Sequence, residues 1–302
     1  MAGRHSRRQI KYNAEVKELL AGYGSAMNKY SDEVIALLKK ASEELTEKLA
    51  VLYKTAGNSW EKVQLANINQ QILETLNTYK NGFDEVMGKA LAESARNGSN
   101  LVVTPMKNNI DASLFLNEPS LFVPVSMDNA VRATWNISST LITEITQETA
   151  SKINERLILG LIQNKPPFEI VSQVTGLLQG NKLGFPTLNA RSWAIFRTET
   201  SRMFSNATML QMNQASEIIP ESRKQWNHGV FGLGLYKRVG HEALDGDSVL
   251  MDESFTNPVT KEVIRFPHDP LAPASEVVNC GCALSMVMPD DSYLRDKTLV
   301  NV

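Results

Sequence analysis

Cysteine is nearly absent from this sequence: Cys280 and Cys282 are the only two in 302 residues. So few exclude a disulfide framework, and the chain is expected to be made in a reducing cytoplasm. Long apolar runs are missing too, since none approaches the roughly 18–20 residues that span a membrane. The basic opening, MAGRHSRRQIKYNAE, leads into no apolar core, so it does not read as a secretory signal. Nor does one sign of charge dominate. A formal net charge of −2 argues against a surface built throughout for nucleic acid. No glycine-rich loop ends in Lys-Ser/Thr, which removes a phosphate-cradling P-loop.

What is present is a folded-protein balance, 42% hydrophobic and 21% charged, long enough for two domains. From Ser31, a candidate N-cap, Val34, Leu37, Leu38, Ala41, Leu45, Leu49 and Leu52 recur at helical steps. AGN at 56–58 interrupts them, and Asn58 with Glu61 can open a second helix. Its stripe runs through Leu65, Ile68, Ile72, Leu76, Tyr79, Phe83, Met87 and Leu91 and is expected to stop at Gly98. Residues 99–125 carry three prolines and no helical period, and read as a connector. Helices are then expected from near Ser126 to Asn164, from Pro166 or Pro167 to Gly180, and over roughly 188–216. After Pro220 the texture is that of strands and turns, with a hairpin in NPVTKEVIRF. The expected fold class is α+β. A long helical hairpin or bundle (1–98) leads through the connector (99–125) to a helical domain with a small sheet (126–289) and a tail (290–302).

Both cysteines and three of the four histidines (His228, His241, His268) fall after residue 225. A zinc site is one reading, with His241, His268, Cys280 and Cys282 as ligands, although a single residue between the cysteines is short for such sites. A thiolate nucleophile is another, with His241 as base and Asp245 or Asp269 as its orienter. The third is packing, because free cysteines behave as small buried hydrophobes. A further polar group lies on the helix RSWAIFRTETSRMFSNATMLQMNQA, where Arg202 stands three residues after Glu199 and can pair with it. Asn206 extends that face.

In order, FRTETSRMFSNA, KQW, RVGHEALDG, FPHDP and VVNCGC resemble the head-morphogenesis domain of tailed-phage minor head proteins, the Mu F-like family. The positions that carry the resemblance are Arg197, Thr198, Glu199, Thr200, Asn206, Trp226, Arg238, His241, Asp245, Gly246, Pro267, Asn279, Cys280 and Cys282. It covers roughly residues 130–285, and its specificity lies in order and spacing. The sequence departs from the family in two places. The family's Cys-Arg-Cys is Cys280-Gly281-Cys282 here, and the stretch from Trp226 to Arg238 is glycine-rich and apolar.

The resemblance implies a minor capsid protein in the virion head, associated with the portal and acting in assembly, DNA packaging or ejection. Major capsid or scaffold protein and packaged DNA are further implied partners. No cofactor follows, apart from the zinc reading above. The Cys-x-Cys pair is expected on a strand against the Arg-Thr-Glu helix, near His241 and Asp245. The long helices are expected to be a partner-binding arm whose apolar stripe another surface covers, so residues 126–289 should fold without 1–125. Arg4, Arg7, Arg8 and Lys11 form a basic arm, either a solvated end or a contact for DNA or an acidic portal surface. The rival is an enzyme, a metal-dependent hydrolase or an ADP-ribosyltransferase-like activity. Against the transferase, Thr198-Glu199-Thr200 offers one glutamate where a Glu-x-Glu pair is needed.

Overall fold

The computed structural model describes residues 7–56, 62–110, 119–163, 165, 167–179, 187–231 and 238–289. Its order is α1 (Arg7–Ala56), α2 (Lys62–Asn109), a 3-10 turn (Pro119–Phe122), α3 (Asp128–Ile162), α4 (Pro167–Gln179) and α5 (Leu188–Ile218). Short elements follow: β1 (Arg223–Asn227), α6 (Val239–Glu242), β2 (Ser248–Leu250), β3 (Phe255–Thr256), β4 (Val263–Ile264), α7 (Ala274–Val277) and β5 (Ala283–Val287). This is the expected α+β architecture. The order β2-β1-β5 makes a three-stranded antiparallel sheet, and β3-β4 form the hairpin expected in NPVTKEVIRF. Among the described residues no helix is long and apolar enough to cross a membrane.

Two helices run past the limits that local signals suggested. α1 begins well before Ser31, because Tyr12, Val16, Leu20 and Tyr23 already form a buried stripe upstream. Ser31 therefore caps nothing; its Oγ accepts a hydrogen bond from Trp193 Nε1 at 2.9 Å. The Asn58 and Glu61 cap lies outside the described residues. α2 continues through Gly98 to Asn109 and includes Pro105, so residues 99–109 are helix rather than connector. Residues 111–118 of the expected connector lie outside the described residues.

Gly98 is in the helix for a packing reason. A Cβ built there would stand 2.3 Å from Phe204 O and 2.9 Å from Ala207 Cβ, so α5 crosses α2 in near backbone contact. Thr208 Oγ1 donates to Gly98 O at 3.1 Å across the same crossing. Gly98→Ala gains about 1 kcal/mol of helix propensity. It also forces overpacking that typically costs 1–3 kcal/mol, and a carbonyl oxygen cannot swing away as a side chain can. Net destabilisation is expected, read as a lower thermal midpoint; an unchanged or higher midpoint would show that the crossing relaxes freely.

The chain divides into two compact units whose pieces alternate along the sequence. One comprises Met1–Asn28, Ala90–Arg132 and Thr198–Val302, the other Lys29–Lys89 and Ala133–Arg197. This grouping differs from the expected division at residues 98 and 126.

The second unit is helical. Trp135 Nε1 donates to Asp84 O at 2.9 Å, tying α3 to α2, and Arg191 pairs with Glu148 to tie α5 to α3. The α1 and α2 stripes (Val34, Leu38, Leu45, Leu49; Ile68, Ile72, Leu76, Phe83) are buried within the chain itself. The argument for an arm, that a partner must cover those stripes, therefore does not hold.

The first unit contains the sheet. One hydrophobic core joins Tyr12, Val16, Leu20 and Tyr23 of α1, Leu101, Val102 and Met106 of α2, and Phe204 and Met212 of α5 to Trp226, Phe255, Leu284 and both cysteines. Tyr23 stacks on Phe204 with ring centroids 4.1 Å apart. Its hydroxyl reaches Ser94 Oγ at 3.0 Å and donates to Thr200 O at 3.2 Å. Residues 126–289 thus share their core with segments that precede them.

Candidate functional site

The cysteines, with His241, lie against the inner face of the three-stranded sheet. β1 alternates, so that Lys224 and Trp226 point inward, and Trp226 pairs in register with Leu284 of β5. Cys280 and Cys282 stand in the loop that enters β5, not on the strand as expected. The turn that places them includes Asn279 in the left-handed region at φ 57°, a conformation asparagine tolerates. The Asn279 N–H donates to Thr198 Oγ1 at 3.1 Å, which docks the loop on the Arg-Thr-Glu helix as the sequence suggested. Arg238 holds the same loop by donating to the carbonyls of Glu276 and Val278, the latter at 2.5 Å.

At the centre, His241 Nδ1 lies 3.4 Å from Cys280 Sγ and 3.8 Å from Cys282 Sγ. The Cys282 N–H donates to Cys280 Sγ at 3.5 Å, and both cysteines are free and buried. His241 Nε2 stands 2.6 Å from Glu276 Oε2, and Asn257 Nδ2 donates to the same oxygen at 3.0 Å. Trp226 meets His241 edge-on, with centroids 5.1 Å apart. Cys282 Sγ also lies 3.5 Å from His228 Nδ1. His268 is buried and close enough to act on Cys280, although neither ring nitrogen finds a hydrogen-bond partner among the described residues.

The electrostatics divide the two thiols. Cys280 is held well below the usual thiol range, first because the Cys282 thiol donates its S–H to it, against burial and with help from His268 and His241. Cys282 is pushed up by giving that hydrogen bond, and burial adds to the effect. Burial disfavours the imidazolium of His241, yet its partners Cys280 and Glu276 raise its pKa on balance. Burial likewise raises the Glu199 carboxyl, partly offset by Arg202. Arg202 Nη1 bonds both Glu199 oxygens at 2.8 Å, the pair expected from the helix spacing.

Of the residues singled out in the sequence, Thr198, Trp226, Arg238, His241, Asn279, Cys280 and Cys282 converge here. Pro267 is buried beside His268. Asp245 is exposed and accepts from the His228 N–H at 2.8 Å, and Gly246 (φ 83°) closes the same turn by donating to Trp226 O. Asp269 is occupied by Arg265, whose Nε donates to it at 2.8 Å. Neither aspartate orients His241; the acid that does so is Glu276. Glu276 and Asn257 were missed because nothing in ASEVV or TNPVT marks them as buried partners. His228, beside Cys282, stands outside the ligand set that the sequence suggests. Arg197 belongs to the other unit, where its guanidinium lies 5.1 Å from the Trp193 ring centroid. Asn206 is half-buried on α5. Arg4 and the Arg7 and Arg8 side chains lie outside the described residues, and Lys11 is exposed.

Comparison with known proteins adds little. No family model matches the chain, and no solved structure matches it. The uncharacterized protein YqbB of Bacillus subtilis (strain 168) is 39% identical over 91 residues, a match spanning 30% of each chain.

Proposed function

We propose that this chain is a minor head protein of a tailed bacteriophage, a structural component that associates with the portal and acts in head assembly, DNA packaging or ejection. The supporting observation is how the motif residues are used. Trp226, His241, Cys280, Cys282 and Thr198 are buried, and the polar atoms of His241, both cysteines and Thr198 turn toward one another and the backbone rather than toward an approaching substrate. Residues so deployed hold a fold together, which suits an assembly module better than a hydrolase or a transferase. The departure at Gly281 fits the same view. Gly281 contributes a backbone carbonyl, which accepts from the Phe231 N–H at 3.0 Å, and the role needs no arginine side chain there.

The portal is the partner we assign first, with major capsid or scaffold protein and packaged DNA as further contacts. Exposed Lys11, together with the basic Arg4, Arg7 and Arg8 of the sequence, would supply the contact to DNA or an acidic portal surface. The test is a phage from which the gene is deleted. Heads should fail to form, package or eject normally, and complementing full-length chain should be found by mass spectrometry in purified heads. Normal phage yield without the chain, or heads that never contain it, would overturn the reading.

A further inference from the structure

His268 is the anomaly of the first unit. Its ring is buried at 1% exposure, and its backbone is held in the left-handed region at φ 62°. Neither ring nitrogen finds a hydrogen-bond partner among the described residues. An imidazole taken out of water is costly unless something meets its polar atoms. What its charge acts on is Cys280, one of the two thiols.

The geometry of those thiols is that of a ligand set. His241 Nδ1, Cys280 Sγ and Cys282 Sγ all lie within 4.8 Å of one another. Zinc–sulfur bonds of about 2.3 Å and zinc–nitrogen bonds of about 2.0–2.1 Å at tetrahedral angles set a nitrogen–sulfur edge of about 3.6 Å. The observed edges, 3.4 and 3.8 Å, bracket it. His241 directs Nε2 to Glu276 at 2.6 Å, which leaves the Nδ1 lone pair aimed at the sulfurs. A carboxylate behind a histidine is the usual outer partner of a metal-bound imidazole. The Cys282 N–H directed at Cys280 Sγ supports the charge of a thiolate. Two thiolates with a divalent cation are neutral together, which permits them in a core walled by Trp226, Phe255 and Leu284.

We propose that Cys280, Cys282, His241 and His268 bind a zinc ion. The single residue between the cysteines is no obstacle, because both sulfurs already converge within 4.8 Å of each other and of His241. With His268 added to the three that already cluster, four protein ligands would close the coordination sphere, and the ion would be structural with no open position for hydrolysis. It ties α6, the turn after β4 and the entry of β5 together. The inference stands independently of the head reading, since it concerns only the purified chain.

The full-length chain should be produced with zinc present, purified without chelator and analysed for metal. Stoichiometric zinc is expected, with both thiols protected from reagent until a strong chelator is added. Replacement by cobalt(II) should give the intense visible bands of a tetrahedral site and a sulfur-to-cobalt charge-transfer band. Glu276→Gln should weaken zinc affinity about 10–100-fold while leaving the cobalt bands tetrahedral. His268→Ala should weaken binding and alter the cobalt bands, whereas His228→Ala should do neither. No zinc, no cobalt spectrum and thiols released only by denaturant would overturn the proposal. Zinc indifferent to His268→Ala but lost in His228→Ala would overturn the fourth ligand. Cys280→Ser or Cys282→Ser should abolish the cobalt spectrum; if either fails to fold, the wild-type spectrum still decides.

Discussion

A chain begun at Lys29 is expected to lose the folded sheet. Removing the residues before it deletes Tyr12, Val16, Leu20 and Tyr23, each at most 5% exposed and part of the core that also contains Trp226 and the cysteines. Burying one such side chain contributes about 1.5–3 kcal/mol. Four together rival the roughly 5–15 kcal/mol by which a whole domain is stable. Tyr23 adds a hydrogen bond to Ser94 and one to the Thr200 carbonyl, both left unmet by the truncation. The measurement is limited proteolysis with mass mapping. New cleavages should appear across residues 198–289, together with fast reaction of both thiols. A truncated chain whose sheet region stays resistant would show that α1 packs on this unit without supporting it. Partner-binding tests follow from this. Deleting the N-terminal helices cannot separate loss of a binding arm from loss of fold, whereas Lys11→Glu changes an exposed charge and leaves the core untouched.

The interleaving of the two units explains why that outcome was not legible in the sequence. Helical periodicity identified the long helices well, because a stripe every three or four residues is a local property. Their limits are suggested by Ser31 and Gly98, and Pro105 falls in the expected connector; such residues punctuate helices when nothing else intervenes. Here something does. Gly98 belongs to a crossing that only a side-chain-free residue permits, and α2 tolerates Pro105 near its end, where Asn109 Nδ2 donates back to the Pro105 carbonyl at 2.8 Å. Tertiary packing overrode propensity at both points. Which helix segments share a core is a long-range fact, and no window of sequence contains it.

The site divides in the same way. Clustering of histidine and cysteine after residue 225 correctly pointed to one place, and Thr198 to the helix beneath it. The orienting acid was assigned to the aspartates nearest His241 and His268 in sequence, whereas Glu276 reaches His241 from α7, thirty-five residues on. A buried acid of this kind is recognisable only by the partner it faces.

Trp226→Ala should be among the most damaging single substitutions in the first unit. The indole is fully buried, meets His241 and Phe255 edge-on at 5.1 and 5.3 Å, and sits in the central strand of the sheet. Truncating a core tryptophan to alanine costs about 3–5 kcal/mol, because the neighbours close the cavity only in part. Trp226→Phe retains a ring and most of the volume, so its cost should be markedly smaller. Denaturant unfolding tests this, with a lower midpoint and an unchanged slope expected for both and the alanine variant well below the phenylalanine one. Thiol accessibility should follow the same order, since the indole lies against the cysteines. The comparison also separates the two functional classes. If the motif tryptophan serves assembly, virion incorporation should fall in proportion to lost stability, and Trp226→Phe should incorporate nearly as well as the parent. If it shaped a site for a substrate, function would vanish in Trp226→Phe while the fold stayed intact, and the head-protein reading would have to yield to an enzymatic one.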